Sequence, residues 1–431
     1  MESLYVRVRH GVDREAPMTW GQLTQQAIYD LTAEESYRQT QKRSVELPPG
    51  VPPQRIATAV QSVLERHESL RTLFSADRRQ RVQPHVELSV PIAAAGSDDE
   101  AHRIHTDLYQ RSFDFDALPV RFGVLNRADG SATLLIAASH LAIDAFAGDS
   151  LADELRRLCG PDDLGVLPDP VGHPVDRTRF EGSPAGRALS RRNIGRWQRL
   201  HEDGVASTPA PTLPGLTPRF HTGTLVSPTL RRAMPAASSR LGASSAVVLL
   251  AAVSSVLGDL FGVPRVAARI AYSNRTDPLD LGIETLMQWG LTIVDVRGTA
   301  QDVVRSAFRE TLRASAAARY DIYELFETLS GERCPPDHRF MPQIFLNYFD
   351  GANTATMPPE DDDGPVPEST FSSVPSHEHD SDSLYFLFAS PSRKAITLHY
   401  MIDTRMLSLA DVEASARALE EWVVTAARSD H

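Results

Sequence analysis

Between residues 119 and 158 the sequence spells out a fragment of fold. Two apolar runs, 119–126 and 132–138, are separated by Asp129-Gly130. Asp-Gly between two such runs is the signature of a tight hairpin turn. The second run, Ala132-Thr133-Leu134-Leu135-Ile136-Ala137-Ala138, leads into Ser139-His140-Leu141-Ala142-Ile143-Asp144-Ala145, after which residues 146–158 read as helix. Strand, turn, strand, loop and helix thus follow one another, a short β-rich run that hands the chain to a loop. The order also delivers His140 where a rigid strand ends, a position from which an imidazole of ordinary pKa, about 6.5, can act as a general base. Taken alone, a histidine four residues before an aspartate is more often a hydrogen-bonded structural histidine.

The chain has 431 residues and a formal net charge of −12. That length predicts two or three cores. The acidic balance argues against nucleic acid or an anionic membrane as partner, and means that an acidic protein partner needs a local basic patch. The two cysteines, Cys159 and Cys334, form no CxxC pair. This fits a reducing cytoplasm and excludes a disulfide framework or a cysteine-based zinc site. The first residues, with Arg7, Arg9 and Arg14, do not read as a signal peptide, and no run reaches the roughly 20 apolar residues of a membrane span.

Further along, residues 53–67 predict an amphipathic helix with Ile56, Val60, Val63 and Leu64 on one face and Pro53 in its first turn. Residues 68–74 read as entry to a strand. Gly and Pro crowd residues 159–184, and 166–185 is taken as a linker between an N-terminal lobe, 1–165, and a C-terminal lobe, 186–431. Helices are predicted near 188–202, 244–261, 301–318, 321–329 and 409–427. Strands are predicted at 266–271, 291–296 and 343–349, with a hairpin over 384–389 and 395–400. Residues 351–382, with Glu360-Asp361-Asp362-Asp363, predict one long loop. His377-Glu378-His379-Asp380 has the residue types of a metal site, but a polar loop lacks the rigid support such ligands need. Trp197 and its arginine neighbours read as a solvated helix face or a protein-binding patch.

Several segments, in order along nearly the whole chain, resemble the condensation-domain family of nonribosomal peptide assembly lines. Met18-Thr19-Trp20-Gly21-Gln22 is similar to the opening segment of that family. Residues 66–74, Arg-His-Glu-Ser-Leu-Arg-Thr-Leu-Phe, resemble its RHexLRtxF signature. Phe113 to Arg121 is similar to the segment before the histidine. Tyr272-Ser273-Asn274-Arg275 resembles an arginine-bearing loop, and Asn347-Tyr348 the family's NY strand. Ser139-His140 to Ala145 corresponds to the HHxxxDG motif, with Ser139 in place of the first His and Ala145 in place of the Gly.

The resemblance implies an α/β fold of two chloramphenicol acetyltransferase-like lobes in a V, with the active site at the seam and 351–382 crossing between lobes. It implies that His140 is the catalytic base, that Asp144 pairs with Arg275 to tie the motif loop to the second lobe, and that Ser139 and Ala145 support the loop. Gln22, Gln288, Trp289 and Asn347 would line the substrate tunnel, with Trp289 reshaping the acceptor side. A glycine at this position permits a positive φ or a close approach of the backbone to substrate, so the Cβ of Ala145 is expected to narrow the site or to move an N–H that would face the oxyanion. No bound cofactor and no metal are implied. The donor would be an acyl thioester on the phosphopantetheine arm of a carrier protein, and the acceptor an amine or alcohol.

Nothing resembles a phosphopantetheine serine motif, so the carrier is expected in trans. The expected protein is a cytoplasmic, monomeric, free-standing condensation enzyme of specialised metabolism. Two alternatives remain open: a non-catalytic module that recruits another enzyme, and an acyltransferase that uses acyl-CoA.

Overall fold

The computed structural model describes residues 2–9, 11–32, 39–160, 172–203, 210–275, 282–333, 339–348, 367–379 and 381–428. They form two compact units: residues 1–190 with 273–288, and residues 191–272 with 289–431.

The first unit contains β1 (Glu2–Val8), β2 (Arg14–Pro17), α1 (Trp20–Leu31), β3 (Gln41–Leu47), α2 (Pro53–Arg66), β4 (Thr72–Phe74), β5 (Arg79–Val82), β6 (Val86–Ala93), α3 (Asp98–Tyr109), β7 (Val120–Asn126), β8 (Ala132–Ala138), α4 (Ala145–Cys159) and α5 (Pro174–Glu181). One sheet has the order β1-β6-β7-β8-β3, and a smaller one β2-β5-β4. The predicted hairpin is β7–β8, paired from Val120↔Ala138 to Asn126↔Ala132, with Gly130 at φ 81° in its turn.

All seven residues of β8 are buried. On one face Leu134 and Ile136 join Val60, Val63 and Leu64 of α2 and Leu151 and Leu155 of α4. On the other, Leu135 and Ala137 meet Ile104 and Leu108 of α3. A strand covered on both sides reads as a continuous apolar run, which is why this segment shows no alternation in the sequence.

The second unit begins inside α6 (Pro184–Glu202). It continues with β9 (Phe220–Ser227), α7 (Pro228–Leu241), α8 (Ser245–Phe261), β10 (Arg265–Tyr272), β11 (Gln288–Asp295), α9 (Ala300–Ala316), α10 (Ile322–Ser330), β12 (Ile344–Tyr348), β13 (Thr370–His377), β14 (Tyr385–Pro391), β15 (Ile396–Asp403) and α11 (Leu409–Ala427). Its sheet runs β11-β10-β12-β14-β15-β9-β13. Helix α8 supplies Val248, Ala251, Ala252 and Leu257 to a core that also holds Leu387, Leu398 and Leu419. It is apolar on every side because it packs between α7, α9, α11 and the sheet. No single described helix is long and apolar enough to cross a membrane.

Three expectations are corrected here. The segment 166–185 is not simply a linker. Pro174 and Pro184 occupy first-turn positions of α5 and α6, and Gly182 caps α5, so its described Gly and Pro residues mark helix ends. Residues 161–171 lie outside the described residues.

Secondly, 351–382 is not one loop: Thr370–His377 is an edge strand on β9. Its Pro375 sits next to a register shift, the place in a sheet where proline is tolerated. The acidic run 360–363 lies outside the described residues, as does Asp380. Thirdly, Trp197 is buried, edge-on to Tyr320 at 6.0 Å between centroids, and is therefore core and not surface.

Candidate functional site

The motif loop starts where β8 stops. The Ser139 amide donates to the Pro119 carbonyl (2.8 Å), and the Ser139 carbonyl accepts from the amides of Ala142 and Ile143 (3.0 and 3.2 Å). These bonds turn the chain sharply and leave His140 at the tip. The Ser139 hydroxyl accepts from the Leu141 amide (3.3 Å) and lies 3.3 Å from the Tyr29 hydroxyl. A serine thus keeps this first motif position satisfied while buried.

The His140 backbone is held from both sides. Its N–H donates to the Tyr29 hydroxyl in α1 (3.2 Å), and its carbonyl accepts from the Thr285 hydroxyl. Its imidazole Nδ1 is buried and makes no hydrogen bond among the described residues. Burial pushes its pKa below the usual 6.5, an effect that the nearby Asp144 charge only partly opposes. The imidazole is therefore neutral at neutral pH, the form that accepts a proton.

Asp144 is the N-cap of α4: Oδ1 accepts from the Ala147 amide (3.0 Å). Oδ2 accepts from Arg275 Nη1 (2.7 Å) and from the amides of Leu286 (3.0 Å) and Met287 (3.2 Å). Both side chains of the pair are only 3% exposed. The expected Asp144–Arg275 pair is present. It joins the motif loop to residues 273–288, which belong to the first unit and not, as expected, to the second. Arg275 also donates to the carbonyls of Ser273 and Glu284, and its guanidinium lies 4.5 Å from the centre of the Phe146 ring. Asn274, at φ 54°, makes the turn that aims Arg275, and its amide donates to the Leu286 carbonyl (3.1 Å).

Ala145 is the first residue of α4. Among the described residues other than glycine only Arg78 and Asn274 have positive φ, so the Cβ of Ala145 meets no backbone penalty. Of the two uses expected for a glycine here, a positive φ is not the one served, because the position is helical.

The remaining site residues divide. Gln22 is the far half of the Thr19 capping box, its Oε1 accepting from the Thr19 amide (2.8 Å) and its Nε2 donating to Gln80 (3.1 Å). Gln288 donates to Thr24 (3.2 Å) and is 2% exposed. Trp289 is 0% exposed inside the second unit, 4.5 Å from the Arg269 guanidinium and edge-on to Phe345. All three side chains are buried. Asn347 is half-buried on β12, opposite Phe388 of β14.

The structure adds residues that the sequence did not single out. Glu284, 1% exposed, is held by Arg177 through two bonds (2.8 and 3.2 Å), and Ser69 donates to the Ile283 carbonyl. Tyr29 and Thr285 clamp His140. Tyr29 lies 111 residues before the amide it binds, and no local pattern marks such a contact. The RHexLRtxF resemblance proves to be a set of buried supports. His67 pairs with Glu154 (2.9 Å), Glu68 with Arg14 (3.0 Å), and Arg71 donates to the Leu64 and Gln83 carbonyls. His377 is buried and stacks on Phe220, and Glu378 accepts from the Arg219 amide; no grouping of three or more potential metal ligands occurs among the described residues.

Residues 23–165 match the condensation domain family. The chain is 30% identical over 115 residues to a probable non-canonical nonribosomal peptide synthetase, CymA, of Salinispora arenicola; the match takes in 26% of this chain and 2% of that protein's length. Its structure is similar to that of the condensation domain that mediates chain release from the enacyloxin polyketide synthase (TM-score 0.73, 20% identity, 97% of this chain and 85% of the other). It is also similar to the PapA2 acyl transferase (TM-score 0.73, 16% identity, 97% and 93%). Residues 23–165 therefore match condensation-domain sequence, and the described chain has the chloramphenicol acetyltransferase-like fold that condensation domains share.

Proposed function

We propose that this protein is a condensation-type acyltransferase that moves an acyl group from the phosphopantetheine thioester of a carrier protein to an amine or alcohol. The observation that carries the proposal is His140: a neutral, partly buried imidazole with an unbonded Nδ1, on a loop whose backbone is fixed at both its N–H and its C=O. The acceptor nitrogen or oxygen attacks the thioester carbonyl. The new C–N or C–O bond forms, the C–S bond breaks, and the acceptor's proton passes to the imidazole and then to the departing thiolate. Asp144 holds the loop and takes no proton. The two departures from the HHxxxDG motif leave the loop intact, since Ser139 is hydrogen-bonded and Ala145 is helical, and this favours activity over a purely recruiting role.

The test is intact-mass spectrometry of acyl-loaded carrier proteins mixed with candidate amines and alcohols, with wild type beside His140→Ala. Acyl transfer is expected with wild type, and a loss of roughly 10²–10⁴-fold with the variant. Equal product from both would remove His140 as the base. No product from either, with carrier binding retained, would point to the recruiting role.

A further inference from the structure

An acidic protein that takes its donor from an acidic carrier needs a local surface of opposite charge, and helix α9 has one. It buries Val303, Val304, Ala307 and Ala314 and turns a second face to solvent. On that face Phe308 and Leu312 are 47% and 56% exposed, one turn apart. Arg305, Arg309 and Arg313 border them, and the side chains of Arg305 and Arg313 are 62% and 64% exposed. Two carboxylates offset part of this charge: Asp302, exposed on the same stripe as Arg305 and Arg309, lies 3.2 Å from Arg305, and Glu310, 3.0 Å from Arg313, has only 11% of its side chain exposed. Arg309 forms no ion pair among the described residues. Arg297, Arg305 and Arg309 also line one open groove of about 520 Å³, together with Asp295 and Asp302, which pair with Arg297 and Arg305 and leave Arg309 as its unpaired cation among the described residues.

Single exposed apolar side chains are ordinary. A phenylalanine and a leucine stacked on one helix and framed by three arginines have the make-up of an interface centre, where apolar anchors and arginines carry most of the binding energy. Helix α6 also presents Arg187, Arg191, Arg192 and Arg199 to solvent but has no large exposed apolar residue, so it lacks the anchor. We propose that the Phe308–Leu312 face of α9 docks the carrier protein through an acidic amphipathic helix on that partner. Partner carboxylates would meet the three arginines, and its apolar residues would cover Phe308 and Leu312. The inference rests on the carrier-dependent reading above.

Calorimetric titration of holo-carrier protein into wild type, Arg309→Glu, and the double variant Phe308→Ser/Leu312→Ser tests it, alongside transfer from an acyl-pantetheine that bypasses docking. Both variants are expected to weaken carrier binding by about tenfold or more, to leave acyl-pantetheine turnover and the melting temperature unchanged, and binding by wild type is expected to weaken with added salt. Equal affinity for wild type and variants, or no carrier binding by wild type, would overturn the proposal. Carrier binding lost in the variants while no donor is ever discharged would uphold the docking face and sink the catalytic reading.

Discussion

Asp144 receives hydrogen bonds from Arg275 and from three backbone amides while almost wholly buried, which leaves its oxygens little capacity for a substrate or a transferred proton. Its function is mechanical, and its loss should appear first in stability. Removing either partner strands the other's charge, so Asp144→Ala and Arg275→Ala are each expected to cost about 3–5 kcal/mol in denaturant unfolding, and the double variant less than their sum. A cost below about 1 kcal/mol for Arg275→Ala would mean that the pair does not hold the loop.

His140 behaves differently, because burial lowers its pKa from 6.5. Below about pH 6.5 the unfolded chain binds the proton more readily than the folded one, so the stability associated with a neutral His140 is complete above that pH and declines as pH falls below it. The acidic limb of kcat/KM should follow the same direction and lie below pH 6.5, and a limb at or above 6.5 would contradict the assigned burial. The pairing of Asp144 with Arg275 was reached only through the resemblance that the motifs carry. The clamp from Tyr29 and Thr285 was not legible, because two hydroxyls far apart along the chain carry no spacing signal.

At the scale of elements, the segments with strong periodicity or firm punctuation came out of the sequence well: α2, the β7–β8 hairpin, α8 and α11 lie where capping residues, Asp-Gly and apolar spacing put them. The elements that escaped are short or polar. β13 reads Thr-Phe-Ser-Ser-Val-Pro-Ser-His and is strand only because β9 offers it a ladder, a tertiary cause invisible locally. Helix α1 illustrates how an element positions chemistry. It carries Tyr29 on one turn and Gly21 on another, and a Cβ at Gly21 would overlap the Thr285 carbonyl. Gly21 is thus the point where α1 lies flush against the strip 282–288 that holds His140. Gly21→Ala should push that strip away, lowering stability by about 1–3 kcal/mol and acyl transfer by more than the stability loss explains, as read by thermal melting beside turnover well below the melting temperature. Turnover that falls no further than the folded fraction would show that α1 supports the unit without positioning the loop.

For the whole molecule, the sequence revealed a two-part chain but not where the parts divide, because composition marks where a chain bends and not which unit it returns to. Residues 273–288 leave the second unit after β10, complete the first, and return at β11. The first unit therefore lacks, within residues 1–190, the Arg275 that neutralises Asp144, the two amides that cap its Oδ2, and the Thr285 hydroxyl on His140. It also lacks Glu284, the buried partner of Arg177. Fragment 1–190 alone would bury an unpaired aspartate and an unpaired arginine, a penalty comparable to the whole stability of a typical domain. It is expected to be recovered aggregated or without fixed near-ultraviolet circular dichroism. Co-expressed with 191–431, which carries the missing strip, it should be recovered as a soluble pair. In that pair Arg275→Ala on the larger fragment should lower recovery of the smaller one, while Arg309→Glu, on an exposed face of α9, should leave recovery unchanged. A cooperatively folded 1–190 fragment, stable without its partner, would show that the strip decorates the first unit and does not complete it.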